Sequence, residues 1–235
     1  MREAGVLMPV SALPSRVGAG ELGESAFHFI ELLKKNHVRI WQILPLNPVG
    51  YGNSPYQPYS SCAGDDIYIS LDTLAEEGLL KKSPMLFLEK CKKVDYERVR
   101  QYREPYLRAA FMAFVEQKGY EKPEYKEFAA QSWVYEYGVF RALKKANNGA
   151  CWNEWPEEDR TWPENRHVLD TEVEAEARYQ MFLQYIFYTQ WMKVKKAANE
   201  AGIQIMGDVP FYVGQDSVDV WGGKDNFLLD TDGRP

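Results

Sequence analysis

Two apolar runs, Gly5 to Val10 and Arg39 to Leu46, flank a segment, Ala26 to Lys35, in which Phe27, Ile30, Leu32 and Leu33 recur at helical spacing. Only a very short turn, beginning at Asn36, separates that segment from the second run. A strand, a helix and a strand joined so closely make a βαβ unit, because a parallel pair needs a crossover that is most simply a helix. Both runs read as apolar on both faces, the pattern of parallel strands buried beneath helices. The expected class is therefore α/β with a parallel sheet.

Beyond residue 47 the alternation breaks. Asp95 is placed to cap a helix running toward Glu116, with Pro105 bending it and Gly119 closing it. A further helix is expected from Trp133 to Lys145, stopping at Asn147-Asn148-Gly149. Charges such as Lys90 to Lys93 read as a solvated helix face. Thr171 with Glu174 is a capping-box signature ahead of a long helix that Gly202 ends. A third strand, Ile203 to Met206, runs into Gly207-Asp208-Val209-Pro210, which sets a carboxylate at the strand's carboxyl end, and Phe211 to Pro235 reads as loop.

The loop after the second strand, Gly50 to Ser61, carries Tyr51, Tyr56 and Tyr59 with Ser, Asn and Gln and no cationic residue. In parallel α/β architectures that end of a strand is where ligands are held, and the composition suits a neutral, polyhydroxylated ligand. A rigid Pro/Gly loop whose tyrosines merely pack fits the same residues. Together with Gly5-Val6-Leu7-Met8 and Ser11 to Ser15, this block resembles the amino-terminal region of the amylomaltases, the bacterial 4-alpha-glucanotransferases. The resemblance continues through Gln190-Trp191, Ala197-Ala198-Asn199, Gly202-Ile203, Gly207 to Pro210 and Asp216 to Trp221, with weaker support from Trp152 to Pro156. It extends from residue 5 to residue 235.

The resemblance implies a partial TIM (β/α)8 barrel holding the first three strands, formed by residues 1–46 and 171–235, with a mainly helical subdomain, 47–170, inserted after strand 2. It implies transfer of α-1,4-glucan segments between maltooligosaccharides by a retaining double displacement. Such chemistry needs one carboxylate to attack the anomeric carbon and a second, roughly 5 Å away, to donate and accept a proton. The family's nucleophilic Asp lies in an Arg-x-Asp motif on the fourth strand, with its acid/base Glu and a stabilising Asp on later strands. No arginine of this chain is followed by Asp two positions on. The chain is thus expected to hold no catalytic residue, those carboxylates lying beyond Pro235, and to be inactive alone.

Among the residues present, the resemblance implies that Tyr56 and Asp208 line the substrate cleft. Tyr56 supplies an aromatic platform and a hydroxyl, and Asp208 sits beside the substrate rather than attacking it. Ser54, Pro55 and Tyr51 are carried along by the same motif. A plain structural role stands beside each: loop packing for Tyr56 and a turn-capping carboxylate for Asp208. Asp216, Ser217 and Asp219 are expected to order their loop around a buried Trp221, and Trp152, Trp155 and Trp162 to staple the subdomain together. A chain of this kind also suits a second role, as a non-catalytic glucan-binding or assembly half of a divided enzyme completed by a carboxyl-terminal half, since three open parallel strands leave edges that seek partners.

Composition narrows the partners. With 28 basic against 34 acidic residues the net charge is −6, which argues against a nucleic-acid backbone. Cys62, Cys91 and Cys151 lack any paired spacing, and His28, His37 and His167 share no ligand spacing, so neither disulfide framework nor metal is assigned. Gly18-Ala19-Gly20-Glu21-Leu22-Gly23 matches a dinucleotide fingerprint, but Ser11 to Val17 intervenes after the strand and no acidic residue closes the second one. The glycines read instead as a tight turn before the helix. No cofactor is expected, and with no secretion signal or apolar run long enough for a membrane span the location is expected to be cytoplasmic, without membrane contact.

Overall fold

A computed structural model describes residues 3–81 and 93–235. Cys91 and most of the Lys90 to Lys93 charge run lie outside the described residues. In chain order the elements are β1 (Gly5–Leu7), α1 (Glu24–Lys35), β2 (Ile40–Gln42), α2 (Leu71–Glu76), α3 (Tyr96–Glu116), α4 (Pro123–Ala129), α5 (Ser132–Ala146), α6 (Glu157–Arg160), α7 (Trp162–Asn165), α8 (Thr171–Glu200), β3 (Gln204–Met206) and α9 (Val218–Gly222). The fold is α/β. Its three strands are parallel in the order β1-β2-β3, with Gly5 opposite Ile40 and Ile40 opposite Gln204.

Packing divides the chain into two compact units. The first comprises Met1–Leu46, Asp65–Tyr120 and Ile186–Val209, and the second Asn47–Gly64, Glu121–Tyr185 and Pro210–Pro235. The stretch 47–170 thus contributes to both, and α8 gives its earlier part to one unit and its later part to the other.

In the first unit, β1 and β2 are shorter than their apolar runs. Pro9 and Pro45 have no N–H to donate, so neither run continues as a ladder through its proline; Val10 to Ala12 becomes a 3-10 turn. The expectation that the first two strands are buried on both faces is corrected: Trp41 is buried, but Leu7 is 52% exposed; on β3, Met206 is 47% exposed. On α1 the buried residues are Ala26, Ile30 and Leu33, whereas Phe27 and Leu32 turn outward. The Phe29 ring meets Trp41 edge-on at 5.1 Å, and the Trp41 indole N–H donates to the Met8 carbonyl at 2.8 Å. That fixes helix and sheet together. Asn36 caps α1 as expected, its amide donating to the Leu32 carbonyl at 2.8 Å. The glycine run before α1 is used for close approach: a Cβ on Gly20 would lie 1.9 Å from the Val10 carbonyl oxygen, and one on Gly23 would lie 2.4 Å from Ser70 Oγ.

Asp95 caps α3, its carboxylate accepting from the Arg98 N–H at 3.1 Å, and Pro105 lies inside that helix. The left-handed residue that ends it is Lys118, with φ of 53°, rather than Gly119. Gly119 is instead needed where the chain presses on Phe114, since a Cβ there would lie 2.2 Å from the ring. Along α3, Arg100 pairs with Asp65 at 2.7 Å and Asp66 at 2.6 Å. Arg103 is buried; it donates to Glu21 at 2.8 Å and to the Ile69 carbonyl. Burial pushes the Glu21 carboxyl above its ordinary pKa, and Arg103 opposes that rise.

The second unit is organised around indoles. Trp162 and Trp221 stack at 5.8 Å with an interplanar angle of 8°, and Trp155 and Phe140 close the cluster at 5.9 and 5.7 Å from Trp221. Each of the four buried indoles has its N–H bonded to a carbonyl: Trp152 to Gln215, Trp155 to Ala150, Trp162 to His167 and Trp221 to Asp159. The capping box read at the start of α8 does not form. Thr171 is already inside the helix, and the Glu174 carboxylate instead accepts from Tyr135 Oη at 2.7 Å and Arg178 Nε at 2.8 Å. Within the stretch read as loop, α9 forms because Ser217 caps it, accepting from the Val220 N–H at 3.3 Å.

Replacing Arg103 by Met leaves the buried Glu21 carboxylate unopposed and is expected to cost about 3 kcal/mol at neutral pH. Because the variant's folded Glu21 holds its proton still more tightly, its deficit relative to the parent is smallest while the carboxyl is protonated in both folded forms and grows as pH rises through the parent's own raised Glu21 pKa, the shared unfolded value cancelling. Urea unfolding at several pH values measures this; a pH-independent deficit contradicts it.

Candidate functional site

The tyrosine-bearing loop lies wholly in the second unit and is closed on itself. Val49 and Pro58 form an antiparallel bridge, and the Tyr59 N–H donates to the Pro48 carbonyl at 2.9 Å. At its tip the chain turns through Tyr51–Asn53, where Gly52 and Asn53 take the left-handed region with φ of 76° and 54°. Ser54 Oγ accepts from the Tyr56 N–H at 3.3 Å, so this hydroxyl helps to fold the tip. Pro55 is half-buried, while Tyr56 remains 44% exposed.

The base of the loop is held from three sides. The Asn47 amide donates to the carbonyls of Ser61 and Ala63, each at 3.0 Å. The Asp219 carboxylate accepts from both the N–H and the hydroxyl of Ser61, and the Val218 N–H donates to the Tyr59 carbonyl at 2.9 Å. Gln184 on α8 then takes both polar groups of buried Gly64: its carbonyl accepts the Gly64 N–H at 2.8 Å and its amide donates to the Gly64 carbonyl at 2.9 Å. These bonds put the loop on a fixed base, the condition for presenting a ring to a ligand without ordering cost.

Cations gather behind Tyr59. Lys144 Nζ lies 5.0 Å and the Arg141 guanidinium 5.5 Å from its ring centroid. Lys144 is nearly buried; it donates to the carbonyls of Gly149 and Ala150 and pairs with Asp216 at 2.5 Å. Burial raises the Cys151 thiol pKa, and Asp216 adds to the rise, so Cys151 is held as a thiol. Burial and the bond to Glu174 push Tyr135 up to about 12.

Asp208 belongs to the other unit, just after β3, and is half-buried. One of its oxygens accepts from the adjacent Val209 N–H at 2.9 Å, which is the turn-ordering role. Ser54, Pro55 and Tyr56 are brought together with Tyr51 in one turn. Asp216, Ser217, Asp219 and Trp221 order their segment as their side-chain types imply. Sequence reading passed over Lys144 and Gln184, because a Lys near a helix end and a Gln within a long helix look like ordinary surface residues.

These features define a class: a parallel α/β chain whose polar, tyrosine-rich loop follows the middle strand in sequence and is tied down within its own unit. Residues 8–233 match the model of glycoside hydrolase family 77, 4-alpha-glucanotransferase, and the chain belongs to that family. It is 40% identical to the 4-alpha-glucanotransferase of Synechocystis over 98% of its own length and 47% of that protein's, and 38% identical to that of Thermus thermophilus over its full length and 47% of the relative. The fold superposes on the amylomaltase from Streptococcus agalactiae in complex with acarbose with a TM-score of 0.92 at 32% identity, covering all of this chain and 48% of that one. The chain spans about half the length of the curated relatives it matches. Among the described residues, no helix is long and apolar enough to cross a membrane.

Replacing Gln184 by Leu strips both partners from buried Gly64 and is expected to cost about 2 kcal/mol. Hydrogen exchange at the Gly64 amide should accelerate together with that loss, measured against urea unfolding; unchanged protection at Gly64 would mean that the amide is held otherwise.

Proposed function

We propose that this chain is the amino-terminal part of a 4-alpha-glucanotransferase that moves α-1,4-glucan segments between maltooligosaccharides by a retaining double displacement. The observation that carries the reading is the fixed tyrosine loop with its exposed tip, in a chain matched to the family from end to end. Tyr56 offers a ring face and a hydroxyl to a glucose unit, supported by Ser54, Pro55 and Tyr51, and Asp208 accepts from a sugar hydroxyl. The three parallel strands are the opening strands of a (β/α)8 barrel, with the mainly helical part inserted after the second. The nucleophile, the acid/base and the stabilising carboxylate are supplied beyond Pro235, which accounts for the missing Arg-x-Asp.

A second reading is favoured by the sheet itself. Among the described residues β1 and β3 have no outer neighbour, and the sheet exposes Leu7 and Met206. Such a sheet suits an assembly half that binds glucan and is completed by a carboxyl-terminal half. Both readings expect the 235-residue chain alone to release no glucose and build no longer maltodextrins from maltotriose above the blank, followed by chromatography. Disproportionation at enzymatic rates contradicts both. Adding a purified carboxyl-terminal half separates them: recovery of activity on mixing supports the divided enzyme.

Replacing Tyr56 by Ala is expected to weaken maltotriose binding about tenfold through lost stacking and hydrogen bonding, read by calorimetry. Unchanged affinity removes Tyr56 from the glucan's path.

A further inference from the structure

The second unit holds a cleft of about 550 Å³ remote in sequence from the tyrosine loop, lined by Trp152, Arg160, Thr161, Lys224, Phe227 and the turn Asp230 to Gly233. Its size falls within the range of small-molecule sites. The floor is Trp152, itself only 2% exposed, and Gly233 lies directly on that indole: a Cβ there would sit 2.6 Å from the ring. The rim is tied down as well. Asp230 accepts from the N–H groups of Asp232 and Arg234, Asn153 donates to the Asp232 carbonyl and Gln215 to that of Gly233. Lys224 is committed to the wall, donating to the Arg160 carbonyl at 2.7 Å and pairing with Glu164 at 2.9 Å, with its ammonium 5.4 Å from the Trp152 centroid.

Arg160 is different. Its Nε is buried and meets no hydrogen-bond partner among the described residues. That nitrogen is closed to a ligand, but among the described residues no hydrogen bond or ion pair holds the terminal nitrogens of the same guanidinium, which leaves them to donate into the cleft. The lining also shows which acceptor. Four carboxylates against two cations, one of them already paired with Glu164, repel a phosphate or another anion. Carboxylates, a guanidinium and a threonine hydroxyl beside the half-buried Phe227 and Leu229 suit a neutral ligand with hydroxyls on its edges and C–H on its faces.

We propose that this cleft is a second docking place for a short neutral oligosaccharide, separate from the tyrosine loop, with Arg160 donating to a sugar oxygen and Phe227 covering a ring face. That the sugar is an α-1,4-glucan rests on the reading given above; the cleft's preference for a neutral polyol does not. The site would give a long glucan a hold on residues other than those of the Tyr56 loop.

The test is titration of the ¹⁵N-labelled protein with maltotriose, following the Trp152 indole N–H and the Gly233 amide. Both signals are expected to shift in the parent and in Tyr56→Ala. In Arg160→Ala and Phe227→Ala the affinity read from those two signals should fall about tenfold, with the other indole signals unmoved, which certifies the fold. Shifts that persist at full affinity in both cleft variants, or their absence in the parent, overturn the proposal. Larger shifts with inorganic phosphate than with maltotriose overturn the neutral ligand. Shifts lost only in Tyr56→Ala overturn the cleft while leaving the tyrosine loop as a glucan contact.

Discussion

The structure depends on giving hydrogen-bond partners to backbone that has no strand beside it. After β2 the chain enters a long irregular stretch, and its buried N–H and C=O groups cannot be left unpaired. Glutamines on α8 supply what a neighbouring strand would. Gln184 takes both groups of Gly64 in the second unit, and Gln190 takes both groups of Ser70 in the first, at 2.6 and 3.2 Å. A side-chain amide sets a donor nitrogen beside an acceptor oxygen in one plane, as a peptide does, so one residue can meet both the N–H and the C=O of another. Both glutamines are almost fully buried, a position whose cost is offset because the oxygen and the nitrogen of each amide are both bonded.

Around those anchors the two units solve burial differently. The first stacks α1 on the sheet through aliphatic residues and Trp41, and admits one ion pair, Arg103 with Glu21, where α3 meets the glycine run. The second gathers four indoles and Phe140. Indoles are large and flat, so a few of them fill the space between short helices and turns that could not pack by ridges and grooves. Their polar edges are spent on loop carbonyls, which is why the same residues that make this core also pin the segments at Ala150, Asp159, His167 and Gln215.

Much of this was legible in residue order. The βαβ unit followed from apolar periodicity and a short turn, and the capped ends of α1, α3 and α5 followed from Asn36, Asp95 and Asn147. What failed did so for identifiable reasons. The strand lengths were overestimated because an apolar run does not show that Pro9 and Pro45 interrupt its ladder. Thr171 and Glu174 have the spacing of a capping box, but a tertiary partner, Tyr135, claimed the Glu. In the site, tyrosine, serine and glycine identities announced the loop, whereas its anchors Gln184 and Lys144 carry no local signature, since their partners stand 120 and 72 residues away.

The sheet shows most clearly what sort of object this is. The first strand, read as buried on both faces, is instead half-exposed at Leu7, and the third is half-exposed at Met206. Apolar side chains at consecutive strand positions are selected where both faces are covered. A chain that keeps such strands while leaving one side open, with unpaired ladder edges among the described residues on β1 and β3, presents a surface whose free energy falls when further structure covers it. The tyrosine loop needs no such cover, because its bonds close within its own unit. The order of the loop and the state of the sheet edges are therefore physically separable here: the loop's bonds do not draw on the sheet, and the edges of β1 and β3 do not draw on the loop.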